Sequence, residues 1–107
     1  MSEPSASPVR VSGVHAPEPG RAIRVTVEGE DVAVFNEGGK LFAIGAACTH
    51  AGGPLEEGTV GGGKVTCPWH GSVFRLEDGT VQRGPAQRPV SSFRVTQDGP
   101  DLLFSRP

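Results

Sequence analysis

Two short segments of the chain each carry a cysteine and a histidine. In the first, Cys48 stands two positions before His50, and in the second, Cys67 stands three positions before His70. These are the only two cysteines of the chain, and thiolates and imidazoles are common ligands of zinc and iron in proteins. One such residue alone would suggest a buried thiol or a surface histidine, but four in two glycine-flanked segments predict a metal centre.

Two kinds of metal centre compete for these four side chains. A tetrahedral zinc site has the right ligand count, but zinc fingers usually place both cysteines in one turn and both histidines together on a helix. Here each segment mixes the two ligand types, and no helix is predicted nearby. A two-iron, two-sulfide cluster suits the arrangement better, because one iron would take a cysteine from each segment and the other iron a histidine from each.

Glycine and proline flank the candidate ligands. Gly52, Gly53 and Gly71 let the backbone approach a bound group without an intervening side chain, and Pro68 removes one backbone donor and stiffens its loop. Each of these residues also fits ordinary turn chemistry.

The rest of the chain predicts the strands that must position these segments. Ile23, Val25 and Val27 alternate with polar residues, as in a strand with one buried face. Further alternating or apolar runs are DVAVF, KLFAI, SVFRL, RPVSSFRV and DLLFS, with hairpin turns at NEGGK and at Asp78-Gly79. No window of ten or more residues shows helical periodicity. The pattern predicts an all-β fold, an antiparallel sandwich or open barrel with a small loop-rich subdomain.

Length and charge limit the remaining possibilities. The 107 residues predict a flexible N-terminus over 1–8 and a single domain over 9–107, with the metal-binding region at about 46–86. A net charge of -2 without a run of Lys or Arg argues against nucleic acid as a partner. No segment has the apolar run of a membrane span or the pattern of a secretory signal, so a cytoplasmic location is expected.

The segments CTHAGGPLEEG and CPWHGSVF resemble the two cluster-binding motifs of Rieske iron–sulfur proteins. Gly84-Pro85-Ala86 stands where that family has a proline-containing loop that covers the cluster, and the flanking strands look like those of the family. The resemblance implies a Rieske fold and a [2Fe-2S] cluster bound by Cys48, His50, Cys67 and His70.

Four further positions indicate the type of Rieske protein. High-potential members carry an extra cysteine in each motif, joined by a disulfide, where this chain has Gly53 and Trp69. They also have a serine and a tyrosine whose hydroxyls bind cluster sulfurs. Here Ser72 is in place, either donating such a bond or closing the turn, whereas Phe74 has no hydroxyl. Fewer donors imply a potential near the lower end of the Rieske range, roughly −150 to +300 mV.

The chain is therefore similar to the soluble Rieske ferredoxins of aromatic-ring dioxygenase systems. That similarity implies a monomeric one-electron carrier, not itself an enzyme, between a flavin-dependent ferredoxin reductase and a terminal oxygenase. The oxygenase subunits need a second iron site with two histidines and a carboxylate. The one further histidine, His15, is expected to face solvent.

The resemblance also predicts a docking surface at the loop tip. Its expected members are Thr49, Ala51, Trp69, Gly71 and Pro85. Trp69 would either contact a partner or shield the cluster from water. Glu56 and Glu57 would either steer a basic patch of a reductase or form an ordinary solvated loop face.

Three other functions remain open from the sequence. The first is a Rieske-like small subunit of an assimilatory nitrite reductase, and the second is a zinc-binding structural module. The third is a small enzyme with Cys48 or Cys67 as nucleophile beside a histidine. It accounts for only one of the two Cys-His pairs.

Overall fold

The computed structural model describes residues 8–106. Residues 1–7 of the segment 1–8, which is predicted to be flexible, lie outside the described residues. Within this range the chain forms ten strands and a single helical element, the 3₁₀ turn Leu55–Glu57. The strands are β1 Val9–Val11, β2 Ala22–Val27, β3 Glu30–Glu37, β4 Lys40–Gly45, β5 Thr59–Gly61, β6 Lys64–Thr66, β7 Val73–Arg75, β8 Val81–Arg83, β9 Ser92–Asp98 and β10 Asp101–Ser105.

Six strands form one antiparallel sheet in the order β1-β10-β9-β4-β3-β2. The sheet curls so that side chains of β2 and β10, four strands apart in this order, share one buried core. That inner core consists of Val25, Val27, Val32, Val34, Ala43, Phe93, Val95, Leu102 and Phe104. Its members alternate along each strand, because successive side chains of a strand point to opposite faces. The predicted all-β open barrel is confirmed.

The other four strands form a smaller antiparallel sheet in the order β5-β6-β7-β8. It packs on the outer face of the curled sheet around a second buried core. This outer core consists of Ala33, Phe35, Ile44, Ala46, Cys48, Leu55, Val65, Cys67, Phe74, Leu76, Ala86 and Val90. Both candidate cysteines belong to it, so the second sheet with its loops is the predicted small subdomain.

Strand β3 lies between the two cores. Val32 and Val34 face the inner core, and Ala33 and Phe35 face the outer core. One-sided alternation, predicted correctly for β2, therefore does not extend to β3, because the subdomain covers the face that would otherwise meet water.

Side-chain contacts fasten the subdomain to the barrel. The guanidinium of Arg24 on β2 donates from Nε to Glu56 of the 3₁₀ turn at 3.0 Å, and from Nη1 to Asp31 at 3.0 Å. Glu37 accepts a hydrogen bond from the Gly63 N–H at 2.9 Å. In the part of the chain that the structure describes, no helix has the length and apolar character needed to cross a membrane.

Candidate metal centre

The first candidate loop, residues 46–53, is called loop 1. It follows β4 and is closed by two backbone hydrogen bonds. The Cys48 N–H donates to the Gly53 carbonyl at 2.9 Å, and the Gly52 N–H donates back to the Cys48 carbonyl at 2.8 Å. Gly52 has φ +80°, a conformation that favours glycine. The closure holds Cys48 inward and leaves His50 at the exposed turn.

The second candidate loop, residues 67–72, is called loop 2. It connects β6 to β7 and repeats the same closure. The Cys67 N–H donates to the Ser72 carbonyl at 2.7 Å, and the Gly71 N–H donates to the Cys67 carbonyl at 3.1 Å. In both loops the cysteine N–H bonds five residues ahead, and a glycine with positive φ bonds four residues back to the cysteine. The two loops are therefore equivalent supports for a thiol, although their histidines stand at different spacings.

The two loops bring the four predicted residues together in two pairs. Cys48 and Cys67 are each 3% exposed and lie in the same buried core. His50 and His70 are exposed, and their ring centroids lie 4.9 Å apart at an interplanar angle of 87°. Each pair takes one residue from each loop, with thiols inward and imidazoles outward.

This pairing fits a two-iron cluster. Within residues 8–106, no three or more His, Cys, Asp and Glu side chains converge closely enough to hold one metal ion. A mixed-ligand [2Fe-2S] cluster needs two protein ligands for each iron, one thiolate pair and one imidazole pair. The donor chemistry of loops 1 and 2 therefore suits that group, and both cysteines are free thiols.

Gly53 leaves room for the contact between the two loops. A Cβ at this position would lie 2.6 Å from the Cys67 Sγ and 3.1 Å from Cγ of Trp69. The indole of Trp69 thus lies against the Gly53 backbone while 55% of the residue stays exposed. Trp69 therefore covers this side of loop 1 and keeps an exposed face.

A third segment, residues 84–90 and called loop 3, is tied to both other loops. The fully buried Ser72 accepts a hydrogen bond at its Oγ from the Ala86 N–H at 2.9 Å. The Thr49 hydroxyl donates to the Arg88 carbonyl at 2.6 Å. Ser72 therefore fixes the predicted covering loop. Phe74 is fully buried in the outer core, so its ring serves packing.

The two glutamates for which a steering role is one interpretation have different environments. The Glu56 side chain is 16% exposed and engaged by Arg24, whose pKa is raised by the hydrogen bond to this carboxylate. Glu57 is exposed. The alternative of a steering role for Glu56 is thus disfavoured, because its carboxylate binds within the chain. This contact joins residues 32 positions apart, and no local sequence pattern signals it.

Most residues of the predicted docking surface are exposed to solvent, as a docking surface requires. Ala51, Trp69 and Pro85 are exposed, whereas Thr49 and Gly71 are half-buried. His15, outside the three loops, is exposed as predicted.

Comparison with known proteins gives the family. A family model of the Rieske [2Fe-2S] domain matches residues 7–94. The biphenyl dioxygenase ferredoxin subunit of Pseudomonas sp. (strain KKS102) is 35% identical over 91 residues, which cover 82% of this chain and 84% of that protein. Apoptosis-inducing factor 3 of Mus musculus and of Homo sapiens is 34% identical over 64 residues. That match covers 60% of this chain but spans only 11% of those longer proteins.

Solved structures are similar over most of the chain. The ferredoxin of carbazole 1,9a-dioxygenase from Nocardioides aromaticivorans IC177 has a TM-score of 0.81 at 29% identity, covering 95% of this chain and 100% of that one. A chain in a complex of reduced oxygenase and oxidized ferredoxin in carbazole 1,9a-dioxygenase has a TM-score of 0.79 at 28% identity, with coverages of 91% and 93%. A Mycobacterium tuberculosis protein described as an NADH-dependent nitrite reductase small subunit has a TM-score of 0.79 at 25% identity, with coverages of 94% and 97%. Together with the paired thiols and imidazoles, these matches show that the chain belongs to the Rieske [2Fe-2S] domain family and that its cofactor is a [2Fe-2S] cluster.

Proposed function

We propose that this chain is a one-electron carrier that passes electrons from a flavin-dependent ferredoxin reductase to a terminal oxygenase, aromatic-ring-hydroxylating or related. The observation that carries the proposal is the exposed His50–His70 pair at the loop tip, above two buried thiols. An electron carrier needs its redox centre close to the surface where a partner docks. A relative and a solved structure that are each aligned over most of their own length are ferredoxins of dioxygenase systems, which supports the oxygenase as partner.

We assign Cys48 and Cys67 as ligands of one iron, and His50 and His70 as ligands of the other. The bound cluster supplies a centre that takes up and releases one electron. Both cysteines hold their thiolates in the outer core, away from water. His50 and His70, as neutral ligands in place of thiolates, make the centre less negative and so favour its reduction.

The assignment extends to the organisation of the protein. Residues 9–107 act as one Rieske domain, with the cluster-binding region at about 46–86. The carrier works in the cytoplasm as a monomer and catalyses no reaction of its own. The fastening of loop 3 to loops 1 and 2 supports a preformed binding region, since a bound cluster then requires little rearrangement.

The test is the visible absorption, iron content and low-temperature EPR spectrum of the freshly purified, dithionite-reduced protein. We expect a red-brown protein with two irons per chain and a rhombic signal whose average g lies below the free-electron value. His70→Ala should abolish that signal, whereas His15→Ala, which changes an exposed histidine outside the loops, should retain it. A colourless protein that holds zinc would refute the carrier function.

A second candidate function is that of a small subunit of a nitrite reductase. The similarity to the Mycobacterium tuberculosis protein, which this chain matches over 97% of its length, favours it. Affinity purification of the tagged chain from its native host distinguishes the free carrier from the reductase subunit. A free carrier elutes at the size of the single chain, and a stoichiometric complex with a large reductase would establish the subunit instead.

A further inference from the structure

Loops 1, 2 and 3, which together form the tip of the molecule, differ in charge from the rest of the chain. None of the twelve acidic residues falls within them, although the whole chain carries a net charge of -2. Apart from the two histidines, the only ionisable groups there are the two buried cysteines and Arg88. Loops 1, 2 and 3 therefore contribute no negative side chain to the tip.

Arg88 stands beside one of the exposed imidazoles. A surface groove of about 530 Å³ is lined by Thr49, His50, Pro85, Gln87 and Arg88. The hydrogen bond from Thr49 to the Arg88 carbonyl fixes the backbone at this wall of the groove. Arg88 is exposed and forms no ion pair within residues 8–106. Its guanidinium is thus available to a negative group that enters the groove.

Trp69 adds an apolar anchor outside that groove. Among the described residues it is the one large hydrophobic side chain that is exposed, at 55%, and it lies next to His70 in loop 2. Tryptophan and arginine are the residue types most often found at the energetic centre of protein interfaces. The exposed indole of Trp69 can therefore supply an apolar contact of this kind to a partner.

Resting on the carrier function proposed above, we propose that the tip docks an acidic surface of its electron-transfer partner. A carboxylate of that partner enters the groove beside His50 and pairs with Arg88, while Trp69 packs into an apolar recess. Opposite charges at this point accelerate encounter and orient the partner over the imidazole pair. The absence of acidic residues from the tip removes the repulsion that such a partner would otherwise meet.

The test compares small electron acceptors of opposite charge. The holoprotein is reduced with dithionite, freed of excess reductant and mixed in stopped flow with ferricyanide or with hexaamminecobalt(III). Each acceptor takes one electron, so ferricyanide becomes ferrocyanide and cobalt(III) becomes cobalt(II), while the cluster is reoxidised. For Arg88→Gln we expect the rate with ferricyanide to fall about threefold at low ionic strength and the rate with the cobalt complex to rise. Both changes should disappear at high salt, because the charges are exposed.

Arg94→Gln is the matched control. Arg94 is exposed on β9, forms no ion pair within the described range and does not line the His50 groove. The Arg94→Gln substitution should leave the rates with both acceptors unchanged, and Arg88→Lys should keep the wild-type rates. Equal shifts from Arg88→Gln and Arg94→Gln would overturn the proposal, since the effect would then be one of net charge.

A hexaglutamate peptide tests the carboxylate directly. It should slow ferricyanide reduction by the wild type and by Arg94→Gln, and it should have little effect on Arg88→Gln. Inhibition that does not depend on residue 88 would refute docking in this groove. An intact EPR signal with rates indifferent to acceptor charge would overturn this inference alone, whereas absence of the cluster would overturn the carrier function itself.

Discussion

At the scale of single residues, Gly53 is the position where an added side chain would press directly on a candidate ligand. The Gly53→Ala methyl would fall 2.6 Å from the Cys67 Sγ and close to the indole of Trp69. Because the thiol and the ring cannot both stay in place, we expect the variant to bind less than half of the wild-type iron and to bleach faster. Iron content and the decay of visible absorption measure this.

Gly61→Ala provides the comparison for that substitution. Gly61 lies on β5 with no atom within contact distance of an added Cβ, and its φ is not positive. The Gly61→Ala protein should keep the full iron content of the wild type. A Gly53→Ala protein with the wild-type iron content and the wild-type decay of visible absorption would show that loops 1 and 2 can move apart freely.

Ser72 is the second residue with a specific expected effect. Ser72→Ala removes the acceptor of the Ala86 N–H inside a fully buried environment. An unpaired buried donor costs about 1–3 kcal/mol, so the free energy of unfolding should fall by that amount in denaturant titrations. Ser91→Ala, at an exposed position, should change the stability little. Equal stabilities for the two variants would mean that a water replaces the lost hydroxyl.

At the scale of elements, the ion pair between β2 and the 3₁₀ turn joins the barrel to the subdomain. Glu56→Gln removes the charge that Arg24 engages at 3.0 Å, with side chains 40% and 16% exposed. Ion pairs exposed to this degree contribute about 0.2–1 kcal/mol, and we expect a loss of this size in the free energy of unfolding. The measurement is a denaturant titration at low salt, repeated at high salt, where the loss should shrink.

The neighbouring Glu57 gives a matched control for that ion pair. It is exposed and forms no ion pair in the described part of the chain. Glu57→Gln should leave stability unchanged. If both substitutions had the same effect, the Arg24 contact would contribute nothing beyond general charge.

Strands and turns could be predicted from the sequence where the signal is local. The alternation of β2 and the glycine turns at Gly38-Gly39 and Gly79 predict strands and hairpins correctly, because a strand's pattern and a turn's chemistry lie within a few residues. The double-sided burial of β3 and the fixing of Glu56 were not predictable, since both depend on segments far away in the chain. The inward thiols and outward imidazoles likewise depend on how two loops pack together.

At the scale of the whole molecule, the inner and outer cores have different roles. The inner core of the barrel contains none of the four assigned ligands, whereas the outer core contains both cysteines. The segment 9–16 adds hydrogen bonds to the barrel. Arg10 donates to the carboxylates of Asp98 and Asp101 at 2.9 Å, and the Ala16 N–H donates to the Gln97 side chain at 2.6 Å. We therefore expect the stability of the barrel not to depend on iron.

This division predicts a local response to removal of the cluster. If Cys48 and Cys67 bind the cluster as proposed, removal of iron and sulfide takes away the group that joins them in the outer core and leaves the inner core unchanged. In hydrogen–deuterium exchange we expect faster exchange in loops 1 and 2 and in β6 and β7, with protection in β3, β9 and β10 kept. Reconstitution with iron and sulfide should restore the lost protection. Uniform loss of protection across both sheets would contradict this, because it would make the cluster a condition for folding of the barrel itself.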